Sequence, residues 1–200
     1  MSIRADKKQQ TRQRLISEAL NLSSTKGFAT LSLREVSTSA GITPAAFYNH
    51  FDDMEELGLS LLDEVALSLR RLLRNARKNS KDKNSGITKY SIDTFLKYIN
   101  DNPNHFRLLL GERQGASQSF RKAVHKAIDN FVSELTEDLE RIAKIKKAKL
   151  RNSSLSAEAI VAIVFTVGAE ALELPKHKQA GLANRLVEEV NMVMRGSYSL

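Results

Sequence analysis

The sequence contains no cysteine and no tryptophan, and only three prolines and nine glycines among 200 residues. Without cysteine there is no disulfide framework, no thiolate metal ligand and no thiol nucleophile. So few breakers leave long uninterrupted stretches, and within them apolar residues recur at spacings of three and four, the period of a helix. The opening MSIRADKKQQTRQR is charged and carries no apolar core segment, so it does not read as a signal peptide. The most apolar charge-free run, 159–169 (AIVAIVFTVGA), lies between Glu158 and Glu170 and is too short to span a bilayer. The four histidines (50, 105, 125, 177) show no H-E-x-x-H spacing, and no G-x-S-x-G elbow occurs. The stretch GERQGA at 111–116 lacks the G-K-[ST] ending of a phosphate loop. The expectation is a cytosolic all-α protein that is not an enzyme, has no cofactor or metal and does not enter a membrane.

What is present fits that class. Hydrophobic residues make up 42% of the chain, enough for a core. The formal charge is +8 and the pI about 9.7, a balance that suits a polyanionic partner. Helix one is expected over Lys8–Lys26, ending at Gly27. Ser32-Leu33-Arg34-Glu35 reads as a capping box, with Leu31 and Val36 as its hydrophobic staple. Gly41 supplies a turn, and Thr43-Pro44 opens a third short helix to His50, with Thr as N-cap and Pro at the first helical position. Asp53-Met54-Glu55-Glu56 caps a long helix reaching about Lys78. Residues 79–86 (NSKDKNSG) read as a loop. Further helices are expected at 87–100, 104–113, 117–144, 156–174 and 179–195. The β-branched run 159–167 is read as a buried helix, because a lone strand in a helical chain would leave its backbone groups unpaired. The lysine-rich segment 144–151 is expected to be a solvated helix end or loop.

The segment AGITPAAFYNHF (40–51) places three rings, an amide and an imidazole in five consecutive positions. Two short helices joined by a tight glycine turn form the geometry that presents the second helix to the DNA major groove. Phe47 and Phe51 share a face and are expected to anchor on Leu20, Leu33, Val36 and Ile42. Ala45 and Ala46 permit close approach to base edges and thymine methyls, while Thr43 and Asn49 offer hydrogen bonds to bases. Tyr48 and His50 suit the phosphate rim. Arg4, Lys7, Lys8, Arg12 and Arg14 precede or open helix one, within reach of the backbone or minor groove. Seven Lys/Arg against three acids leave residues 1–51 at +4. The candidate DNA-contacting set is Arg4, Lys8, Ser32, Arg34, Thr43, Pro44, Ala45, Ala46, Tyr48, Asn49 and His50.

The motifs TRxxLIxxAL, LSLREVS and AGITPAAFYNHF followed by EEL resemble those of the TetR family of one-component transcriptional regulators. MEELGLSLLDE, NPNHFRLLLGERQGASQSFR and IVFTVGAEAL resemble a narrower group, the TetR-type repressors of unsaturated fatty acid synthesis. The resemblance implies an N-terminal helix-turn-helix DNA-binding domain (residues 1–52) joined by a long helix to a C-terminal helical domain for effector binding and dimerisation (residues 53–200). It implies a homodimer through the last two long helices, a palindromic double-stranded operator, and a long-chain acyl thioester effector, acyl-CoA or acyl carrier protein. Two positions depart from the pattern. Asn49 stands where arginine is expected in the narrower group; arginine favours guanine and asparagine favours adenine. Asp52-Asp53-Met54 stands where many relatives carry a phosphate-contacting lysine.

In the second half, Phe95, Tyr98, Phe106, Leu109, Phe131, Leu135 and Phe165 are large and apolar and lie on several helices, candidates for a greasy tunnel inside a helix bundle. Arg113 is the candidate for its polar mouth. The long helix Asp53–Lys78 is the expected coupling element. Two other readings stand beside this one. One is a TetR-type activator or repressor sensing a different hydrophobic molecule; the other, more distant, is a helical protein–protein adaptor docking through 159–174.

Overall fold

Local chemistry sets the helix boundaries. The computed structural model describes residues 3–79 and 86–198, with the side chains of 3, 4, 78, 79 and 176 excepted. The expected loop 79–86 falls mostly outside the described residues. The described chain is helical, with no strand beyond one isolated antiparallel bridge between Leu150 and Tyr198. The helices are α1 (Ile3–Lys26), α2 (Leu33–Ser39), α3 (Pro44–Phe47), α4 (Met54–Asn79), α5 (Gly86–Asp101), α6 (Pro103–Arg113), α7 (Gln118–Ile145), α8 (Ser153–Gly168) and α9 (Gln179–Ser197).

The capping box at α2 is complete. The Glu35 amide donates to Ser32 Oγ at 3.3 Å, and Glu35 Oε2 accepts from the Ser32 amide at 3.0 Å. Lys26 Nζ lies 2.5 Å from Glu35 Oε1, and with the Ser32 donors it lowers the Glu35 carboxyl to about 2. At α4 the Glu56 amide donates to Asp53 Oδ1 at 2.8 Å, as the sequence pattern predicts. The return bond comes from the Asp52 amide to Glu56 Oε2 rather than from Asp53. Three helices differ from expectation, the first being α1, which begins at Ile3 rather than Lys8. α3 holds regular geometry only to Phe47, since four residues give almost no internal ladder and Phe47 and Phe51 fix the turn from inside. α8 starts earlier, capped by Asn152 Oδ1 accepting from the Leu155 amide at 2.9 Å. It passes into a 3-10 turn at Ala169–Leu172 instead of running to Leu174.

The chain divides into two compact units, and the division is not a single cut near residue 52. One unit comprises Met1–Ala66 and Asn104–His125, the other Leu67–Pro103 and Lys126–Leu200. In the first, Leu15, Ile16, Ala19, Val36, Phe47, Phe51 and Leu57 are buried. The rings of Phe28 and Phe120 meet at 5.2 Å over Gly58, where a Cβ would fall 2.2 Å from Phe120 Cζ. In the second, Phe95 meets Phe165 at 6.0 Å, and Phe131 meets Phe165 at 5.2 Å. α8 packs on α9, with Ser156 Oγ donating to Ser197 Oγ at 2.7 Å. By length and composition the stretch Ser153–Leu172 would suffice to cross a bilayer, with mean hydropathy 1.8. Its residues Ala157, Ile160, Val161 and Phe165 are buried, as in the core helix of a globular fold.

Candidate nucleic-acid interface and apolar cavity

The reading segment is built outward from two rings. Phe47 and Phe51 are fully buried, 5.8 Å apart, and they hold the short α3 against the first unit's core. Gly41, at φ +68, makes the turn that a side-chain-bearing residue rarely adopts. Thr43 Oγ1 accepts from the Ala46 amide at 3.2 Å and Pro44 fills the first helical position, so the helix starts where the sequence predicts. With the two rings turned in, Thr43, Pro44, Ala45 and Asn49 face solvent, Ala46 is half-buried, and Tyr48 is 61% exposed. The Thr43 hydroxyl accepts in the cap, and its own O–H stays available as a donor.

His50 sits at the margin, half-buried, its Nδ1 enclosed without a hydrogen-bond partner among the described residues. Burial, then the nearby charges of Lys8 and Arg12, lower its pKa below the ordinary histidine value. The ring is therefore neutral at pH 7 and lies beside positive charge. Arg12 is itself committed: its guanidinium lies 4.5 Å above the Phe51 ring and donates to Ser60 Oγ at 3.0 Å. Lys8 and Arg34 are exposed, as is Ser32, whose hydroxyl donates to Glu35 Oε2 at 2.8 Å. The side chain of Arg4 lies outside the described residues; its backbone belongs to α1.

The second unit encloses a cavity of about 470 Å³ between α4, α5, α7, α8 and α9. Of the eight residues assigned from sequence to the effector, Phe95, Phe131, Leu135 and Phe165 line it. Tyr98, Phe106, Leu109 and Arg113 do not. Tyr98 is buried with its phenol bonded to the Ser68 side chain. Phe106 and Leu109 are buried in α6, in the first unit, and Arg113 ends that helix. They are large and apolar, or cationic, for reasons of packing and helix termination within that unit.

The sequence reading missed the polar part of the cavity. Arg77 donates to Asp138 at 2.5 Å, and Arg141 donates to the other oxygen of the same carboxylate. Burial works against the Asp138 charge, but the hydrogen bonds from Arg141 and Arg77 outweigh it and hold the carboxyl below its ordinary value. Lys146, Arg195 and Tyr198 complete that wall. The signal was present in α7, where Asp138 interrupts an apolar face, but its partner lies 61 positions away.

Residues 15–61 match the sequence model of the bacterial regulatory proteins of the tetR family. Residues 85–193 match that of the tetracyclin repressor-like C-terminal domain. Among solved structures, the chain is similar to the fatty acid degradation regulator FadR from Bacillus halodurans, at 14% identity and TM-score 0.75, over 92% of this chain and 94% of that one. It is equally similar to the transcriptional regulator FadR from Bacillus subtilis in complex with stearoyl-CoA, at 14% identity and TM-score 0.75, over 89% and 96%. A transcriptional regulator from Rhodococcus sp. Rha1 matches at 17% identity and TM-score 0.76, over 94% and 98%. At these identities the likeness speaks for the fold. The two family matches, one over the reading segment and one over more than half of the chain, agree with the geometry: this protein belongs to the TetR family of transcriptional regulators.

Proposed function

We propose that the protein is a cytoplasmic repressor that binds a palindromic operator as a homodimer and is modulated by a hydrophobic effector, a long-chain acyl thioester, at genes of fatty acid metabolism. The observation that carries the effector half is the cavity of about 470 Å³ walled by Phe95, Phe131, Leu135 and Phe165. That volume falls in the range of pockets that enclose small organic ligands. The stearoyl-CoA bound by the B. subtilis regulator and the motifs shared with repressors of unsaturated fatty acid synthesis support the same chemistry.

In this reading Thr43, Ala45, Ala46 and Asn49 meet base edges, while Lys8, Arg34, Tyr48, His50 and the start of α1 hold phosphates. Dimerisation through α8 and α9 is supported by Leu155 and Met192, 61% and 60% exposed on those helices. An effector that favours one placement of α4 over another would alter operator affinity by that difference.

Two measurements test this. Selection from random duplex DNA should return a palindrome. Operator affinity should then change on adding long-chain acyl-CoA; an unchanged affinity at saturating ligand overturns the effector. Asn49 favours a second outcome for the operator, adenine where the arginine-bearing group would read guanine, and hence a different set of target genes.

A further inference from the structure

Towards one end of the cavity, charged and polar groups enter an otherwise apolar wall. Along α4 the lining runs from Leu73 to Arg77, along α7 from Phe131 and Leu135 to Asp138 and then, past Leu139 and Ile142, to Lys146 just beyond the helix, and along α9 from Val190 to Met194 and Arg195, with Tyr198 just beyond its end. α5, in reverse, runs from Phe95 and Ile92 to Ser91 and Thr88, with Ile87 at its end. The ring contacts of Phe165 with Phe95 and Phe131 gather the aromatics at one end. The Arg77–Asp138 pair gathers charge at the other. The charged end holds three cations, Arg77, Lys146 and Arg195, against one carboxylate, Asp138.

The surface beyond continues the excess. Segment 141–151 (RIAKIKKAKLR) contains six cations and no acid, and all six are exposed. Among the described residues only Arg141 has a carboxylate partner, Asp138. The segment is fastened to the cavity: Leu150 bridges to Tyr198, which lines it, and the Arg151 amide donates to the Ser197 carbonyl at 2.9 Å. Within the wall, the Ser91 hydroxyl is buried with no hydrogen-bond partner among the described residues. Arg77 already pairs with Asp138 and Arg195 with Glu188, but Lys146 and the other lysines of the segment have no carboxylate partner among the described residues; a ligand without a polar part would leave them and the Ser91 hydroxyl unmatched, and a lone carboxylate would answer only one of them.

We propose that the cavity takes an amphiphile whose acyl tail lies among Phe95, Phe131 and Phe165 and whose phosphate-bearing head is held by Arg77, Lys146, Arg195 and the basic segment 141–151. This rests on the reading that the cavity holds the effector. The head supplies multiple negative charges to cations that already stand at the rim, and the tail fills the aromatic end. Arg77 can accept the head while Asp138 keeps Arg141, so no buried carboxylate is left without a cation.

Calorimetric titration of the full chain with palmitoyl-CoA, palmitate and palmityl alcohol tests this. At low salt the thioester should bind at least about tenfold more tightly than the alcohol, with palmitate between them, because each added charge-assisted contact contributes on that scale. The advantage of the thioester should shrink with salt while alcohol binding stays flat. In a Lys146→Glu, Arg195→Gln variant the thioester-to-alcohol ratio should fall towards one. Equal binding of thioester and alcohol to the unaltered chain overturns the head site and leaves the cavity reading standing. So does a ratio that the double variant leaves intact. Failure of all three probes to bind overturns the cavity reading itself, and this inference with it.

Discussion

At the scale of single residues, Asn49 and His50 carry the sharpest expectations. Asn49 is exposed at the end of the reading segment, and its amide can pair with adenine in two hydrogen bonds. Asn49→Ala should lose about 1–3 kcal/mol of discrimination at one base of each half-site, while Asn49→Arg should move the preference at that base from adenine to guanine. Binding assays over a half-site substitution series read both. His50 has its pKa depressed in the free protein by burial and by Lys8 and Arg12. In the proposed contact an approaching phosphate favours the protonated ring, so operator binding would take up a proton and affinity should rise as pH falls through the ordinary histidine range. His50→Gln should flatten that profile. The stability of the free protein runs the other way. The unfolded chain holds the proton more readily, so the His50 contribution is intact above the ordinary histidine pKa and is lost as pH falls towards the folded value. The outward set on α3 was legible in sequence because Phe47 and Phe51, four apart, dictate which neighbours turn out. Arg77 and Asp138 were not, because nothing local shows that α4 and α7 bring them together.

At the scale of elements, capping is where sequence speaks most directly. Ser32, Thr43 and Asp53 each accept from the amide three residues on, as their positions predict. Such bonds need only four consecutive residues, so no tertiary information is missing. Helix-to-helix seams need more. Gly168 of α8 reads as a neutral small residue, yet a Cβ there would fall 2.4 Å from Phe95 Cε1. Gly168→Ala should therefore cost about 1–3 kcal/mol by overpacking despite its helix-favouring side chain. Thermal and denaturant unfolding measure it. Because the displaced ring lines the cavity, acyl-CoA affinity should fall in the same variant. The expected tunnel residues Phe106 and Leu109 show the converse limit. Apolar periodicity marks a residue as buried but does not say in which of two cores.

At the scale of the whole molecule, the proposed dimer places weight on α8 and α9. Met192→Glu sets a charge on an exposed apolar position of α9 and should yield a monomer by sedimentation. Because a palindrome engages two linked readers at once, the same change should weaken operator binding by at least about 100-fold. An unaltered dimer would place the interface elsewhere. A different consequence follows from the four-residue α3. Its fold is held by Phe47, Phe51 and a cap, with the exposed Tyr48 ring edge-on to Phe47 at 5.8 Å, whereas Thr43 apart from its cap oxygen, Pro44, Ala45 and Asn49 contribute little to the interior. Exchange at Ala45 and Asn49 is thus nearly free of folding consequence, and at Tyr48 it costs at most one aromatic contact, about 0.5–1.5 kcal/mol. On the proposed reading, a lineage carrying this scaffold can migrate from one set of promoters to another by drift at three sites, leaving its sensor untouched. A library randomised at those three positions should stay folded almost throughout while its members diverge in the duplexes they select.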